Sequence, residues 1–200
     1  SPARIQVEEN LPGRPATARD PIPSLLVLWV GFFAVAAAGL GVISQSALFS
    51  TTIPGLEPAW LTALVGLANG AGRLGGGGLA DRLAPRYTLA AIAMATAVAL
   101  VAGMRTQGWG FAAAVVLVAL CYGAASSAYP AALMRASAGG SFSADFARLF
   151  TGWGLAALVA PATFAVAWHY QGDYVGSFAV VAGLNLLVCV VLLPKGWGRK

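Results

Sequence analysis

Charged residues are scarce in this chain. Asp, Glu, Lys and Arg make up 10% of its 200 residues, whereas about a quarter of the residues of a soluble domain are charged. Hydrophobic residues account for 58% of the chain, and the mean hydropathy is +0.77. A chain of this composition has too few polar groups to cover a surface in water, so we expect lipid to surround most of it.

Histidine and cysteine are almost missing. The single histidine, His169, excludes a His-rich metal site, and Cys121 and Cys189 both lie inside apolar runs, which implies no disulfide framework. The pI near 9.7 does not indicate nucleic-acid binding, because the basic residues fall between apolar runs rather than forming a stripe or a tail. No metal, no other cofactor and no nucleic-acid partner is predicted.

Six apolar runs have the length of membrane-spanning helices, which need about 20 mostly apolar residues. None of them alternates with period two, which excludes barrel strands. The predicted fold class is therefore an all-α membrane protein with six transmembrane helices. The bundle is predicted over residues 24–194, after a polar cytoplasmic linker or tail over residues 1–23 and before a basic cytoplasmic tail over residues 195–200. The predicted spans are 24–49, 58–79, 87–104, 109–134, 145–168 and 174–193.

The basic residues predict the orientation. Of the 12 Lys and Arg residues, ten lie before the first span, after the sixth, or in the two connections on that same side. The opposite connections contain only Arg105, together with Glu57, His169 and Asp173. Because basic residues stay in the cytoplasm, we expect a multi-pass protein of the cell membrane with both termini cytoplasmic.

Arg73 is the one charge that this pattern does not explain. It lies about 13 residues, roughly 20 Å of helix, from Trp60 and about 8 residues, roughly 12 Å, from Asp81. An arginine near mid-membrane costs about 2.5–3.5 kcal/mol on insertion scales, so it needs a partner, a wet cavity or a ligand. The structural alternative is that the side chain pairs with a carboxylate or reaches the cytoplasmic edge, but its reach of about 6 Å is roughly half that distance.

Polar residues recur at helical spacing on four of the spans, which predicts that spans one, two, four and five line a pathway. The alternative for each single Ser, Thr or Tyr is a simple helix contact. Spans three and six are less polar and are predicted to be peripheral. The glycines from Gly75 to Gly78 predict close backbone packing in a helix that moves. The polar positions are Gln45 on span one, Thr62, Gly66, Asn69, Arg73 and Gly77 on span two, and Tyr122, Ser126 and Tyr129 on span four.

The stretch GGLADRLAPR resembles the cytoplasmic loop signature of the major facilitator superfamily, Gly-x-x-x-Asp-Arg-x-Gly-x-Arg. Ala84 and Pro85 stand where the usual dipeptide is Gly-Arg. The resemblance implies two six-helix halves that rock about a central site, with a cytoplasmic gate at this loop. The gate residues that match the signature are Gly77, Asp81, Arg82 and Arg86.

The stretches NGAGRLGGGGLADR, YGAASSAYPAAL and SFSADFARLFTGWGLAALVAP resemble the second half of the oxalate/formate antiporter and monocarboxylate transporter families. In those families an arginine on the matching helix binds the substrate carboxylate, which implies this role for Arg73. Monocarboxylate transporters have an Asp four residues earlier, where this chain has Asn69. The oxalate-type relatives also use a lysine on the fifth helix, and the fifth span here has none, which favours a substrate with one carboxylate. The neutral donors expected around Arg73 are Asn69, Gln45, Tyr122, Ser126 and Tyr129.

The sequence therefore predicts one half of an antiporter or symporter for a small organic anion, with no enzymatic activity and no catalytic residue. Six helices make half of such a transporter, so we expect a partner half from a second chain, from a second copy or from a missing segment. The alternative is an accessory or structural membrane subunit with the same fold and no transport of its own. An intramembrane enzyme is disfavoured, because Arg73 is the only charge deep in a span.

Overall fold

The computed structural model describes residues 23–137 and 142–193, and helices account for nearly all of these residues. The predicted all-α fold is confirmed over this part of the chain, which contains six helices and no strand. The predicted linker, apart from Pro23, and the predicted basic tail lie outside the described residues. The helices are α1 (Leu25–Thr51), α2 (Pro58–Arg82), α3 (Pro85–Arg105), α4 (Gly108–Ala136), α5 (Phe142–Gln171) and α6 (Val175–Leu192).

Local sequence signals set several helix ends. The hydroxyl of Ser24 accepts the backbone N–H of Val27 at 3.4 Å and caps the start of α1. Pro58 and Pro85 occupy the first positions of α2 and α3, where the missing proline N–H leaves no bond unmade. The helix α4 continues through Pro130. The cap and the two prolines mark where α1, α2 and α3 begin, and so where the connections before these helices end.

Five helices are long and apolar enough to cross a membrane, namely α1, α3, α4, α5 and α6. These five helices make the chain compatible with a multi-pass membrane protein. The exception is α2, which has the length but not the hydropathy, because it contains many glycines, Asn69 and Arg73. Its membrane crossing therefore stays a prediction.

The helices pack in three layers. The central layer is the pair α1 and α4, and α3 and α6 pack against each other behind it. On the opposite side, α2 packs mainly against α4 and α5 packs mainly against α1, while α2 and α5 do not contact each other. We call the side of the molecule that carries α2 and α5 the open face. The predicted pathway helices are therefore the central pair and the open face, and the predicted peripheral helices lie behind them.

Small residues occupy the middle of the bundle. Ala36, Ala37, Ala156 and Ala160 form a buried cluster there with Tyr122. Larger side chains fill the two ends, with aromatic residues such as Phe49 at the end where α1 finishes. Helices can approach closely where side chains are small, so the packing at mid-depth brings polar groups on neighbouring helices within hydrogen-bonding distance.

Candidate functional site

Arg73 forms a pair with Asn69, one helical turn earlier on α2. The Arg73 Nε donates to the Asn69 Oδ1 at 3.2 Å, and the Asn69 Nδ2 donates to the carbonyl of Ala119 on α4 at 3.4 Å. The Arg73 side chain is exposed, and it forms no ion pair with any residue in the described ranges. Its two terminal nitrogens have no hydrogen-bond partner within residues 23–137 and 142–193. The amide of Asn69 therefore orients the guanidinium without neutralising it.

The contact between α2 and α4 fixes the position of Arg73. Gly72 and Gly76 face the backbone of α4 at Leu120 and Ala124, so closely that a Cβ atom at either glycine would collide with it. A third glycine, Gly123 on α4, likewise faces the backbone of Asn69 and Arg73. This close approach lets the hydroxyl of Ser127 donate to the Arg73 carbonyl at 2.9 Å. We call this contact the glycine seam.

Not all of the glycines in the predicted cluster serve this packing. Gly75, Gly77 and Gly78 have open space where a Cβ atom would be, and Gly76 alone of the four contacts α4. The expectation of close packing over the whole cluster is therefore wrong within this chain, because one face of a helix presents only every third or fourth residue to its neighbour.

Tyr122 joins three helices at the same depth as Asn69. Its ring packs against Gly39 of α1, and its hydroxyl accepts the Nε1–H of Trp153 on α5 at 2.7 Å. Its neighbour Ser126 donates to the Tyr122 carbonyl at 3.0 Å, one turn back on α4. Tyr122 is 3% exposed, so its ring is part of the packing beside the open face.

Tyr129 lies deeper than predicted. It is fully buried, with its ring against Phe32 and its hydroxyl facing Gly31 of α1. The hydroxyl has no hydrogen-bond partner among the described residues. The expectation that Tyr129 faces the pathway is therefore wrong for this chain, because α4 rotates this position towards α1 rather than towards the open face.

Gln45 also lies away from Arg73. Its Oε1 accepts the hydroxyl of Tyr174, the residue before α6, at 3.3 Å. The hydroxyl oxygens of the adjacent Ser46 and of Thr62 are 3.2 Å apart, which places this part of α1 beside the start of α2. Thr62 precedes Arg73 by about 11 residues, roughly 16 Å of helix. Because of this separation along α2, Gln45 does not lie beside Arg73, which corrects the expected contact between Gln45 and a ligand bound there.

In the predicted gate, Asp81 pairs with a basic residue that is not part of the signature. Asp81 forms an ion pair with Arg135, at the end of α4, with 3.7 Å between Nη2 and Oδ1. Arg135 also donates to the Leu83 carbonyl at 3.4 Å. In the described part of the chain, Arg82 and Arg86 form no ion pair, and Gly77 faces open space. Arg135 therefore ties the α2–α3 connection to α4.

Sequence reasoning missed the two tryptophans that bind α5 to the bundle. Trp153 donates to Tyr122, and Trp29 of α1 donates to the Thr151 hydroxyl at 2.9 Å. Tryptophan usually lies at the edge of a membrane span, so Trp153 in the interior of α5 was the available signal. The sequence did not reveal the role of Trp153, because its hydrogen-bond partner, Tyr122, lies on another helix.

The described residues contain no group of three or more His, Cys, Asp and Glu side chains that could hold a metal ion. The site consists instead of one oriented cation, neutral hydrogen-bonding groups and close helix contacts. Neither a protein-family model nor a curated protein sequence matches the chain. The fold and site define an all-helical protein compatible with multiple membrane crossings, with a cation on its open face.

Proposed function

We propose that this chain is one half of a secondary transporter of the major facilitator type that carries a small organic anion, with a monocarboxylate as the favoured class. The single observation that carries the proposal is the arrangement at Arg73. Arg73 lies in the middle of a helix, an amide orients its guanidinium, and no described carboxylate neutralises it.

A carboxylate fits this arrangement chemically. Asn69 occupies Nε, which leaves the two terminal nitrogens of Arg73 to donate in parallel to the two oxygens of one carboxylate. Hydrogen bonds to charged groups contribute about 1.5–3 kcal/mol each. The anion also supplies the opposite charge that a cation within a membrane requires.

The charges on the remaining helices favour one carboxylate over two. The only basic residue on α5 apart from His169 is Arg148, which forms an ion pair with Asp145 at 3.1 Å near the start of that helix. The helix α1 carries no basic residue. A dicarboxylate at Arg73 would therefore keep one negative charge without a cation from this chain.

Alternating access needs contacts that break at little cost. The Asp81–Arg135 pair suits this requirement, because the side chains are 82% and 37% exposed and exposed ion pairs contribute about 0–1 kcal/mol. The helices α2 and α5 are attached to the central pair without contacting each other. They can therefore move separately when the two halves of the transporter rock.

The test is uptake by the chain with its copurifying partner in proteoliposomes, using labelled formate, acetate, lactate, pyruvate and oxalate. We expect Arg73→Ala to lower monocarboxylate uptake by about 100-fold and Arg73→Lys by about 10-fold, because a point charge does not reproduce the planar fork. The matched control is Leu74→Ala, at a neighbouring side chain that is 84% exposed, and it should leave uptake unchanged.

Unchanged uptake in Arg73→Ala would contradict the proposal. A correctly assembled complex that moves none of these anions, with or without Arg73, would instead support an accessory membrane subunit. Copurification with a second six-helix protein, or a dimer of this chain, is the expected assembly. A monomer that transports on its own would contradict the half-transporter assignment.

A further inference from the structure

A second site candidate lies at the end of the bundle opposite the start of α1. Three segments surround a pocket of about 390 Å³ there: the end of α1, the α3–α4 connection and the α5–α6 connection. We call it the outer-end pocket. Its volume lies within the range of about 300–1,000 Å³ that is typical of small-molecule sites. It shares no residue with the proposed carboxylate site around Arg73.

The outer-end pocket contains one cation and one anion that are not paired with each other. Arg105, the last residue of α3, and Asp173, in the turn before α6, both line it. They form no ion pair in the described part of the chain. The Asp173 Oδ1 accepts the backbone N–H of Val175 at 3.0 Å, which holds the carboxylate in place and leaves its second oxygen available.

Aromatic rings form the apolar wall of the pocket. Trp168 and Tyr174 stack with their ring centroids 5.0 Å apart, and Phe111 stacks on Phe178 at 6.1 Å. The Tyr174 hydroxyl donates to the Gln45 Oε1 at 3.3 Å, which holds this ring in the pocket wall. A fixed, neutral aromatic wall beside a carboxylate is a favourable environment for an ammonium group.

A larger cavity on the same molecule has a different lining from the outer-end pocket. It has a volume of about 560 Å³, lies between α1, α5 and α6, and is lined mainly by aliphatic side chains and Phe33 and Phe164. Such a groove offers nothing that distinguishes one hydrocarbon chain from another. The outer-end pocket, in contrast, offers two opposite charges and aromatic faces at the level of Trp168, where a lipid headgroup lies.

We propose that the outer-end pocket binds a phosphoethanolamine zwitterion, with its phosphate on Arg105 and its ammonium between Asp173 and the Trp168–Tyr174 stack. This chemistry is available from two sources: the headgroup of phosphatidylethanolamine and soluble glycerophosphoethanolamine. Both carry an anion and an ammonium a few bonds apart, which matches a pocket lined by one cation and one anion. The inference does not depend on the carboxylate site.

The lipid source is tested by native mass spectrometry on the chain with its copurifying partner, titrated with phosphatidylethanolamine or with phosphatidylglycerol. We expect retention of phosphatidylethanolamine to be at least about tenfold stronger. Arg105→Gln and Asp173→Asn should each weaken it about tenfold, which corresponds to the loss of one charge-assisted contact. The amide in Asp173→Asn can still accept the Val175 N–H, so the turn is preserved.

His169→Gln is the matched control, because His169 is exposed near the same end but does not line the pocket. The soluble source is tested by the thermal shift with glycerophosphoethanolamine on the same sample. A shift that Arg105→Gln abolishes assigns the site to a soluble zwitterion, and retention of the lipid alone assigns it to the headgroup. Equal retention of both lipids together with no thermal shift would overturn the proposal, as would retention that neither pocket variant changes. Arg73→Ala should alter none of these readouts, so this proposal and the transport proposal fail independently.

Discussion

The helices α2 and α5 occupy matching positions on the open face, yet they are attached to the central pair by different chemistry. Each buries a single stripe of small and aliphatic residues, to which α5 adds one aromatic residue, and most of its remaining surface is exposed. The stripe of α2 is Leu61, Val65, Gly72, Gly76 and Ala80, and that of α5 is Leu149, Gly152, Ala156, Ala160 and Phe164.

The attachment of α2 is the glycine seam, in which backbone contacts backbone and the Ser127 hydroxyl adds one hydrogen bond. The attachment of α5 depends on side chains, with two tryptophan N–H groups that donate across helices. Gly152 on α5 contacts Trp29 of α1, both its ring and its backbone carbonyl. Both helices are therefore hydrogen-bonded to the central pair, but close backbone packing at glycines distinguishes α2, and hydrogen bonds between side chains distinguish α5.

This difference has a functional consequence for α2. Backbone contact through glycines leaves no room for larger side chains on one face of the helix, and it holds the Arg73 backbone close to α4. The cation is therefore positioned by atoms that have few ways to move. On α5, the attachment includes the directional hydrogen bond between the Trp153 and Tyr122 side chains.

The largest effect on stability should come from filling the glycine seam. Gly76→Ala places a methyl group against the Ala124 backbone, and overpacking of this kind costs about 1–3 kcal/mol. The melting temperature can be followed with a thiol-reactive dye, because Cys121 and Cys189 are buried and become accessible on unfolding. Gly75→Ala is the control, since a Cβ atom there meets open space within this chain. If the two variants melted alike, the seam would not limit packing.

An intermediate effect should come from the α5 attachment. Trp153→Phe removes the donor to the Tyr122 hydroxyl and should cost about 1 kcal/mol, as should Tyr122→Phe. The double variant should cost about as much hydrogen-bond energy as either single variant, since both remove the same bond. Trp60→Phe is the control, because Trp60 is 65% exposed and has no described side-chain hydrogen bond. Fully additive losses in the double variant would show that the bond does not hold α5.

The smallest effect should come from the charged contact at the end of α2. Asp81→Asn removes an exposed ion pair and should change the free energy of unfolding by less than about 0.5 kcal/mol. Arg135→Gln should cost slightly more, because Arg135 also donates to the Leu83 carbonyl. The stability of the two variants is compared by thermal unfolding at low and high salt. Only the stability loss that is due to the ion pair should become smaller at high salt. A loss in Asp81→Asn as large as that in Gly76→Ala would contradict the ranking.

Some features of the candidate site could be predicted from the sequence, and others could not. The position of Arg73 inside a helix, on the same face as Asn69, followed from spacing, because residues four apart on one helix are neighbours. The hydrogen bond between the two side chains came from the structure. Tyr129 and Gln45 shared a polar pattern with that pair but lie elsewhere, since each depends on how α4 and α1 are rotated. Arg135 and Trp153 were missed because their partners, Asp81 and Tyr122, are distant in sequence.

Sequence patterns alone were enough to predict a helical protein with long apolar segments and one cation, Arg73, in the middle of a helix. Hydropathy and helical periodicity are properties of local segments, and they persist whatever the segments pack against. The packed arrangement of the helices was needed to show which glycines contact another backbone, that Tyr129 is fully buried, and that Arg105 and Asp173 line one pocket. Those outcomes depend on the rotation and depth of whole helices, which the combined packing of all six determines rather than any single segment.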